Sequence, residues 1–319
     1  MARRHKRRTR RLIRRLVFGL VVVLVVGGVV GVLYWYPSGT SGGRRVRRGT
    51  PVVALAYACD LEGKLLPCTC EEGELGGVAR MAGFLDAWRE ERTDALFVHV
   101  GNVAVASHPD AKTLNQFTME ALDLLGCSVL NCGENEVALP LDELQALAAG
   151  RQVKVISASV TDAASGEALF PIYHLEARGG VQVGFIGLVH RDMDPARIGV
   201  GLDLLAPEDA LREALARLGD QADVVVVLAY LTPEQIYDLA RKYPKVDLFL
   251  GGKAGASSAP YELVRGTAVA YLGDQGFAMG RIEAAFPADE PPVVQARVER
   301  LDGSAPESQE CKALLDRLV

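Results

Sequence analysis

Acidic residues are absent from the first 48 positions of this chain, which hold 13 of its 35 Lys and Arg residues. The rest of the chain therefore has 22 basic against 40 acidic side chains. Phosphate contacts need clustered Lys and Arg, so this acidic part is not expected to bind nucleic acid. No Cys-x-x-Cys-His sequence occurs, which excludes covalent c-type haem. A complete P-loop frame is also missing, which excludes that type of nucleotide site.

Only one stretch is apolar enough to cross a membrane. Residues 16–36 carry no charge, follow the basic segment 1–15, and end in Tyr34, Trp35 and Tyr36. About 20 apolar residues span a bilayer as a helix, and basic flanks stay in the cytoplasm. We predict a single-pass anchor in the lipid bilayer, a flexible Gly/Ser/Arg-rich linker over 37–50, and an extracytoplasmic domain. A cleaved signal peptide is the competing interpretation, since small residues follow the run.

Beyond the linker, β-branched runs alternate with helical stretches. Strands are predicted at 52–58, 96–101, 128–132, 153–160, 181–189, 222–231 and 246–252. Continuous apolar strands separated by helices indicate sheets covered by helices. The last third has period-two runs typical of hairpins. The pattern predicts a mixed α/β domain over 51–301 and a C-terminal tail, 302–319, with a short helix.

Seven polar residues lie in the turns at the ends of these strands: Asp60, Glu62, Asn102, Glu134, Asn135, Tyr230 and Lys253. Loops beyond the carboxyl ends of strands build the sites of α/β proteins, so one shared cleft is expected. With the helix entry Leu-Gly-Gly-Val-Ala-Arg at 75–80, this order resembles the 5′-nucleotidase branch of the calcineurin-like metallophosphoesterases. The resemblance covers about residues 51–287.

The resemblance implies a four-layer α/β/β/α sandwich with mixed sheets and a two-metal site. In such a site two ions lie about 3.5–4 Å apart and a metal-bound hydroxide attacks phosphorus. Asp60 matches the first acidic ligand of the family. Asn102 stands where the bridging Asp belongs, and Glu62 where the first His belongs. Tyr230 and Lys253 stand at positions of further His ligands.

The third turn also departs from the family pattern. Glu134 replaces a ligand Asn, and Asn135 replaces the His that would stabilise the transition state, which leaves Asn135 as the catalytic candidate. Every histidine of the pattern is therefore missing. Of the chain's own histidines, His99 is predicted to be a hydrogen-bonded core residue and His190 ordinary loop sequence.

A reduced oxygen site is one interpretation of what remains. Asp60, Glu62, Asn102 and Glu134 offer hard oxygen ligands for one divalent ion, with Mn, Mg, Ca and Zn as the candidates. The acids could instead be neutralised by Lys253, or be solvated loop residues without a ligand. Two-metal 5′-nucleotidase activity is not expected.

Four cysteines are expected to lie near the same strand ends. They are Cys59, Cys68, Cys70 and Cys132. Outside the cytoplasm, thiols tend to form disulfides or bind metal. Disulfides, a thiolate site for Zn²⁺ or Cu⁺, and redox exchange through the Pro-Cys-Thr-Cys loop all remain open.

The sequence thus predicts a divergent, cysteine-containing variant of this fold with most metal ligands replaced. We expect a membrane-anchored, periplasmic pseudoenzyme that acts as a binding or assembly module, with an envelope protein as partner. A metal-dependent phosphoester hydrolase with a reduced metal site is one alternative. A cysteine-based metal-binding or thiol-redox protein is the other.

Overall fold

The computed structural model describes residues 49–70, 73–253, 260–273 and 276–318, and for Cys70 the backbone only. Within these ranges no helix is long and apolar enough to cross a bilayer. The predicted span at 16–36 and the basic segment 1–15 lie outside the described residues, as does nearly all of the predicted linker.

The strands of the described residues fall into two large sheets and two small ribbons. Their bounds are β1 (Val52–Ala58), β2 (Cys68–Cys70), β3 (Gly73–Leu75), β4 (Leu96–His99), β5 (Cys127–Asn131), β6 (Lys154–Ile156), β7 (Val160–Asp162), β8 (Tyr173–Arg178), β9 (Val181–Val189), β10 (Leu202–Leu204), β11 (Val224–Tyr230), β12 (Leu248–Gly252), β13 (Glu262–Val264), β14 (Thr267–Tyr271), β15 (Ala278–Ala285) and β16 (Val293–Arg300).

The helices of the same residues are short to medium in length. They are α1 (Val78–Glu91), α2 (Ala111–Leu124), α3 (Glu134–Val137), α4 (Leu141–Ala148), α5 (Pro207–Leu218), α6 (Pro233–Lys242) and α7 (Gln309–Leu315), with a 3₁₀ turn at Pro195–Arg197. The start of α6 illustrates how sequence sets a boundary. Thr232 and Gln235 form a capping box, and Pro233 occupies the first helical position.

Both large sheets are mixed. The first has the order β16-β15-β1-β4-β5-β6, and the second has the order β13-β14-β12-β11-β9-β8. Each contains four adjacent parallel strands, β1, β4, β5 and β6 in the first and β9, β11, β12 and β14 in the second. In the first sheet β15 is antiparallel to both β1 and β16, and in the second the edge strands β8 and β13 are antiparallel to their neighbours. The predicted mixed α/β class is therefore confirmed. Because the parallel strands end at one edge of each sheet, the turns that follow them are brought together.

The two sheets face each other. Gly187 of β9 lies so close to β5 and β6 that an added Cβ would be 2.4 Å from Asn131 Oδ1 and 2.9 Å from the Ile156 carbonyl oxygen. The amide of Asn131 donates across the interface to the carbonyl of Leu188, at 2.9 Å. Side chains along β11 alternate between this interface and a second apolar cluster that includes α5 and α6. Strand β11 is thus buried on both faces, as its unbroken apolar sequence predicts.

The C-terminal segment packs tightly on α1. A Cβ at Gly83 would lie 2.1 Å from the Pro306 carbonyl oxygen. The buried guanidinium of Arg80 lies 3.1 Å from Glu307 and 2.6 Å from Glu74. Helix α7 buries Cys311 against the same region. The predicted short helix of the tail therefore exists and is part of the folded core.

Candidate functional site

The turns that follow six parallel strands meet at one cleft. They follow β1, β4, β5, β9, β11 and β12, and hydrogen bonds among residues at these strand ends join them. Four non-glycine residues in these turns have positive φ, namely Asp60 (56°), Glu62 (50°), Asn102 (65°) and Lys253 (61°). Such backbone conformations cost free energy and cluster at functional sites. The predicted convergence of these turns is thus present in the structure.

Asp60 is the centre of the first half of the cleft. Its Oδ1 accepts hydrogen bonds from the Tyr230 hydroxyl at 2.7 Å and from Asn102 Nδ2 at 2.9 Å. Its Oδ2 accepts from the Cys59 thiol at 3.0 Å. Asn102 Nδ2 also donates to Glu62 at 3.1 Å, and Lys64 pairs with that carboxylate at 2.9 Å. The carboxylates here are matched by donors from the protein.

Tyr230 is held in place by close packing. A Cβ at Gly252 would lie 2.8 Å from the Tyr230 ring and 2.8 Å from Cys59 Sγ, so only glycine fits at this point of β12. Burial, and next the negative charge of Asp60, raises the pKa of the Tyr230 hydroxyl well above its ordinary value. The hydroxyl is therefore a fixed hydrogen-bond donor to Asp60.

Glu134 is the centre of the second half. Its Oε1 lies 2.6 Å from His190 Nε2 and is in contact with the ammonium of Lys253. The ammonium is also 2.8 Å from His190 Nε2, and a guanidinium nitrogen of Arg197 lies 3.5 Å from Glu134 Oε2. The hydrogen bond with His190, and next the contacts with Lys253, lower the pKa of Glu134 to about 2.

His190 corrects one sequence-based expectation. It is not ordinary loop sequence: it follows β9 directly, is buried, and its ring lies 6.5 Å from the Tyr230 ring. Its position directly after the apolar strand β9 is the feature of the sequence that could have indicated a residue of the cleft. The prediction for His99 is confirmed, since that buried side chain accepts from the Gly101 amide at 3.2 Å.

A second residue missed by sequence reasoning, Glu136, fixes the turns themselves. Its buried carboxylate accepts three backbone N–H groups, from Asn102 at 2.7 Å, Ala104 at 2.6 Å and Gly133 at 2.6 Å. Burial raises the pKa of Glu136, against the opposite effect of these bonds. The carboxylate therefore ties the turn after β4 to the turn after β5.

Asn135 takes part in the same turn. Its backbone N–H donates to Asn102 Oδ1 at 2.9 Å, and its side-chain amide donates to the Ala104 carbonyl at 2.9 Å. In this arrangement the Asn135 amide nitrogen orders the backbone. A catalytic role for Asn135 stays a prediction.

Comparisons with known proteins fit this architecture. No family model matches the chain. A curated 5′-nucleotidase of Vibrio cholerae is 25% identical over 164 residues, covering 46% of this chain and 28% of that protein. The 5′-nucleotidase precursor of Thermus thermophilus superposes with a TM-score of 0.74 at 22% identity, covering 84% of this chain and 58% of that one. For the calcineurin-like phosphoesterase YfkN of Bacillus subtilis, the TM-score is 0.71 at 17% identity, with coverage of 84% and 97%. The chain has the calcineurin-like metallophosphoesterase fold.

The resemblance predicted from the strand-end residues is thus confirmed at the level of the fold. The chain spans less than two thirds of the Vibrio and Thermus proteins that it matches. What those proteins act on therefore enters only as a proposal.

The residues of the cleft do not fit the two-metal centre that this fold implies. A metal at Asp60 would need lone pairs that now accept from Tyr230, Asn102 and Cys59. The neutral amide of Asn102 stands where a bridging carboxylate would be needed. At Glu134 a positive ammonium already contacts the carboxylate oxygen. Among the described residues, no three His, Cys, Asp or Glu side chains are arranged to hold a metal ion.

Two of the four cysteines are buried, and the other two belong to a hairpin at the surface. Cys59 and Cys132 are fully buried thiols without a disulfide, and burial raises the pKa of both. A protonated thiol is a poor metal ligand and a poor nucleophile. Cys68 is exposed on the β2–β3 hairpin, and the side chain of Cys70 lies outside the described structure. The thiolate site that combines these four residues stays a prediction.

Proposed function

We propose that this chain is a membrane-anchored, extracytoplasmic protein in which a phosphoesterase-like sandwich acts as a binding or assembly module. Its cleft does not hydrolyse phosphoesters through two metal ions. The observation that carries this proposal is the hydrogen bonding of Asp60, where the protein's own donors take the lone pairs that a metal would use. The partner we favour is another protein of the cell envelope.

The membrane part of the proposal is supported by the sequence. The uncharged run at 16–36 is long enough to span, and the basic segment before it favours a cytoplasmic N-terminus. In isolated membranes, the full chain should resist alkaline extraction, and a variant lacking residues 16–36 should be released.

Hydrolysis is the direct test of the cleft. The full chain, purified in detergent, would be assayed with a nucleoside 5′-monophosphate and with an aryl phosphodiester in the presence of Mn²⁺, Co²⁺ or Zn²⁺. We expect no turnover above that of Asp60→Asn, which removes the negative charge that any metal at this position requires. Metal-dependent turnover that Asp60→Asn abolishes would contradict the proposal and support the divergent hydrolase.

The cysteine-based alternative has its own readout. Metal content and reactive thiols of the same preparation would be measured, with Cys68→Ser as the variant. Stoichiometric zinc or copper that this substitution removes would favour the thiolate site over the binding module.

A further inference from the structure

We infer that Lys253 is a built-in cation: its ammonium occupies the position at Glu134 and His190 that a divalent metal ion would otherwise take. This inference rests on the proposed function, because it explains how the cleft is held together without metal. Lys253 is then the side chain whose removal should allow a metal ion to bind at Glu134.

The contacts of the ammonium resemble those of a metal ion. Lys253 Nζ touches Glu134 Oε1 and lies 2.8 Å from His190 Nε2. A carboxylate oxygen and an imidazole nitrogen are common ligands of Zn²⁺, Co²⁺ and Mn²⁺. The two ligand atoms are only 2.6 Å apart. At that distance the imidazole Nε2–H donates to the carboxylate, so a metal ion bound by both atoms would have to displace this proton as well as the ammonium.

The backbone places this side chain at a cost. Lys253 has a φ of 61°, a left-handed conformation that a residue with a side chain rarely adopts. It follows Gly252, whose backbone lies so close to Tyr230 and Cys59 that a Cβ there would be 2.8 Å from each. The strained turn therefore delivers the ammonium to Glu134 from the opposite sheet.

The surrounding charges favour the same conclusion. Arg197 adds a second positive group 3.5 Å from the other oxygen of Glu134. A divalent ion that approached Glu134 would be repelled by both cations at short range. The Lys253 side chain is 31% exposed, so its replacement would leave the Glu134 carboxylate open to ions from solvent.

A cobalt titration of the full chain in detergent tests the inference. Co²⁺ binding would be measured by calorimetry and by the visible absorption of the bound ion, in wild type, Lys253→Met and Lys253→Met/Glu134→Gln. Lys64→Met is the matched control, because Lys64 pairs with Glu62 on the same rim. We expect no Glu134-dependent Co²⁺ binding in wild type, and in Lys253→Met an affinity on the order of tenfold or more above the wild-type background. The gain should be lost in the double variant and absent from Lys64→Met.

Two results would overturn the inference. One is Co²⁺ binding by wild type that the single substitution Glu134→Gln weakens, because the metal would then bind at Glu134 with Lys253 present. This comparison does not depend on the folding of any Lys253 variant. The other is a folded Lys253→Met that binds Co²⁺ no better than wild type. Metal-dependent hydrolysis by wild type would instead overturn the proposed function, so the two failures are distinguishable.

Discussion

The Glu136 carboxylate gives the sharpest test of how the cleft is assembled. It is 1% exposed and accepts the N–H groups of Asn102, Ala104 and Gly133 within 2.7 Å. Replacement by Gln keeps the shape of the side chain but turns one oxygen into a donor. If the remaining oxygen faces Asn102 and Gly133, the new amide faces the N–H of Ala104, and two donors are then opposed.

The expected cost follows from these contacts. A buried donor left without its partner costs about 1–3 kcal/mol, and hydrogen bonds to a charged group are worth about 1.5–3 kcal/mol. One lost bond and two weakened ones give about 2–4 kcal/mol for Glu136→Gln. The Ala variant leaves all three N–H donors without the carboxylate. Water that enters the cavity can bond to some of them, so we expect a loss of about 4 kcal/mol or more, less than three full penalties.

Urea unfolding at pH 7.5, followed by circular dichroism, measures this cost as a shift of the midpoint at unchanged slope. Glu143→Gln is the control, because Glu143 is exposed on α4, and it should change stability by less than about 0.5 kcal/mol. If Glu136→Gln lost no more than this control, the carboxylate would not be the clamp between the two turns.

Three further substitutions test other parts of the structure. Gly83→Ala should lower the free energy of unfolding by about 1–3 kcal/mol, because the added Cβ would meet the Pro306 carbonyl oxygen. This loss is expected despite the better helix propensity of Ala. The control Gly303→Ala, which has open space around the added Cβ, should leave the urea midpoint unchanged. The pKa of Glu134 is lowered from 4.5 to about 2, so its contribution to stability is complete above pH 4.5 and is lost as pH falls toward 2. In acid titrations of stability, Glu134→Gln should therefore remove about 1–2 kcal/mol of the decline over that window, and an unchanged profile would contradict the ion pair. Tyr230→Phe removes one of the donors to Asp60 and should cost about 1.5–3 kcal/mol, whereas an unchanged melting temperature would show that the bond contributes nothing.

Local sequence pattern accounts for much of the fold. Strands β1 and β9 occupy the predicted residues 52–58 and 181–189, because short apolar runs with β-branched residues favour buried strands. The sequence predicts that Asp60 and Asn102 share a cleft because each lies in the turn after a parallel strand. That reasoning needs only the chain order and the common direction of the strands, and the bond between these two residues confirms the convergence.

The contacts between the sheets could not be predicted in the same way. Lys253 and Glu134 follow strands of different sheets and are 119 positions apart, so their contact depends on how the sheets pack. His190 was missed because the family pattern assigns no ligand there and a single histidine after a strand carries little information. Glu136 was missed because its three partners are backbone groups, which leave no trace in the sequence.

Anomalous diffraction from crystals of the full chain grown with Mn²⁺ or Zn²⁺ would test the central claim most directly. We expect no anomalous peak in the cleft, with the Lys253 ammonium between Glu134 and His190 and the Tyr230 hydroxyl on Asp60. A peak within coordination distance of Asp60 or Glu134, with Lys253 turned away, would contradict the account.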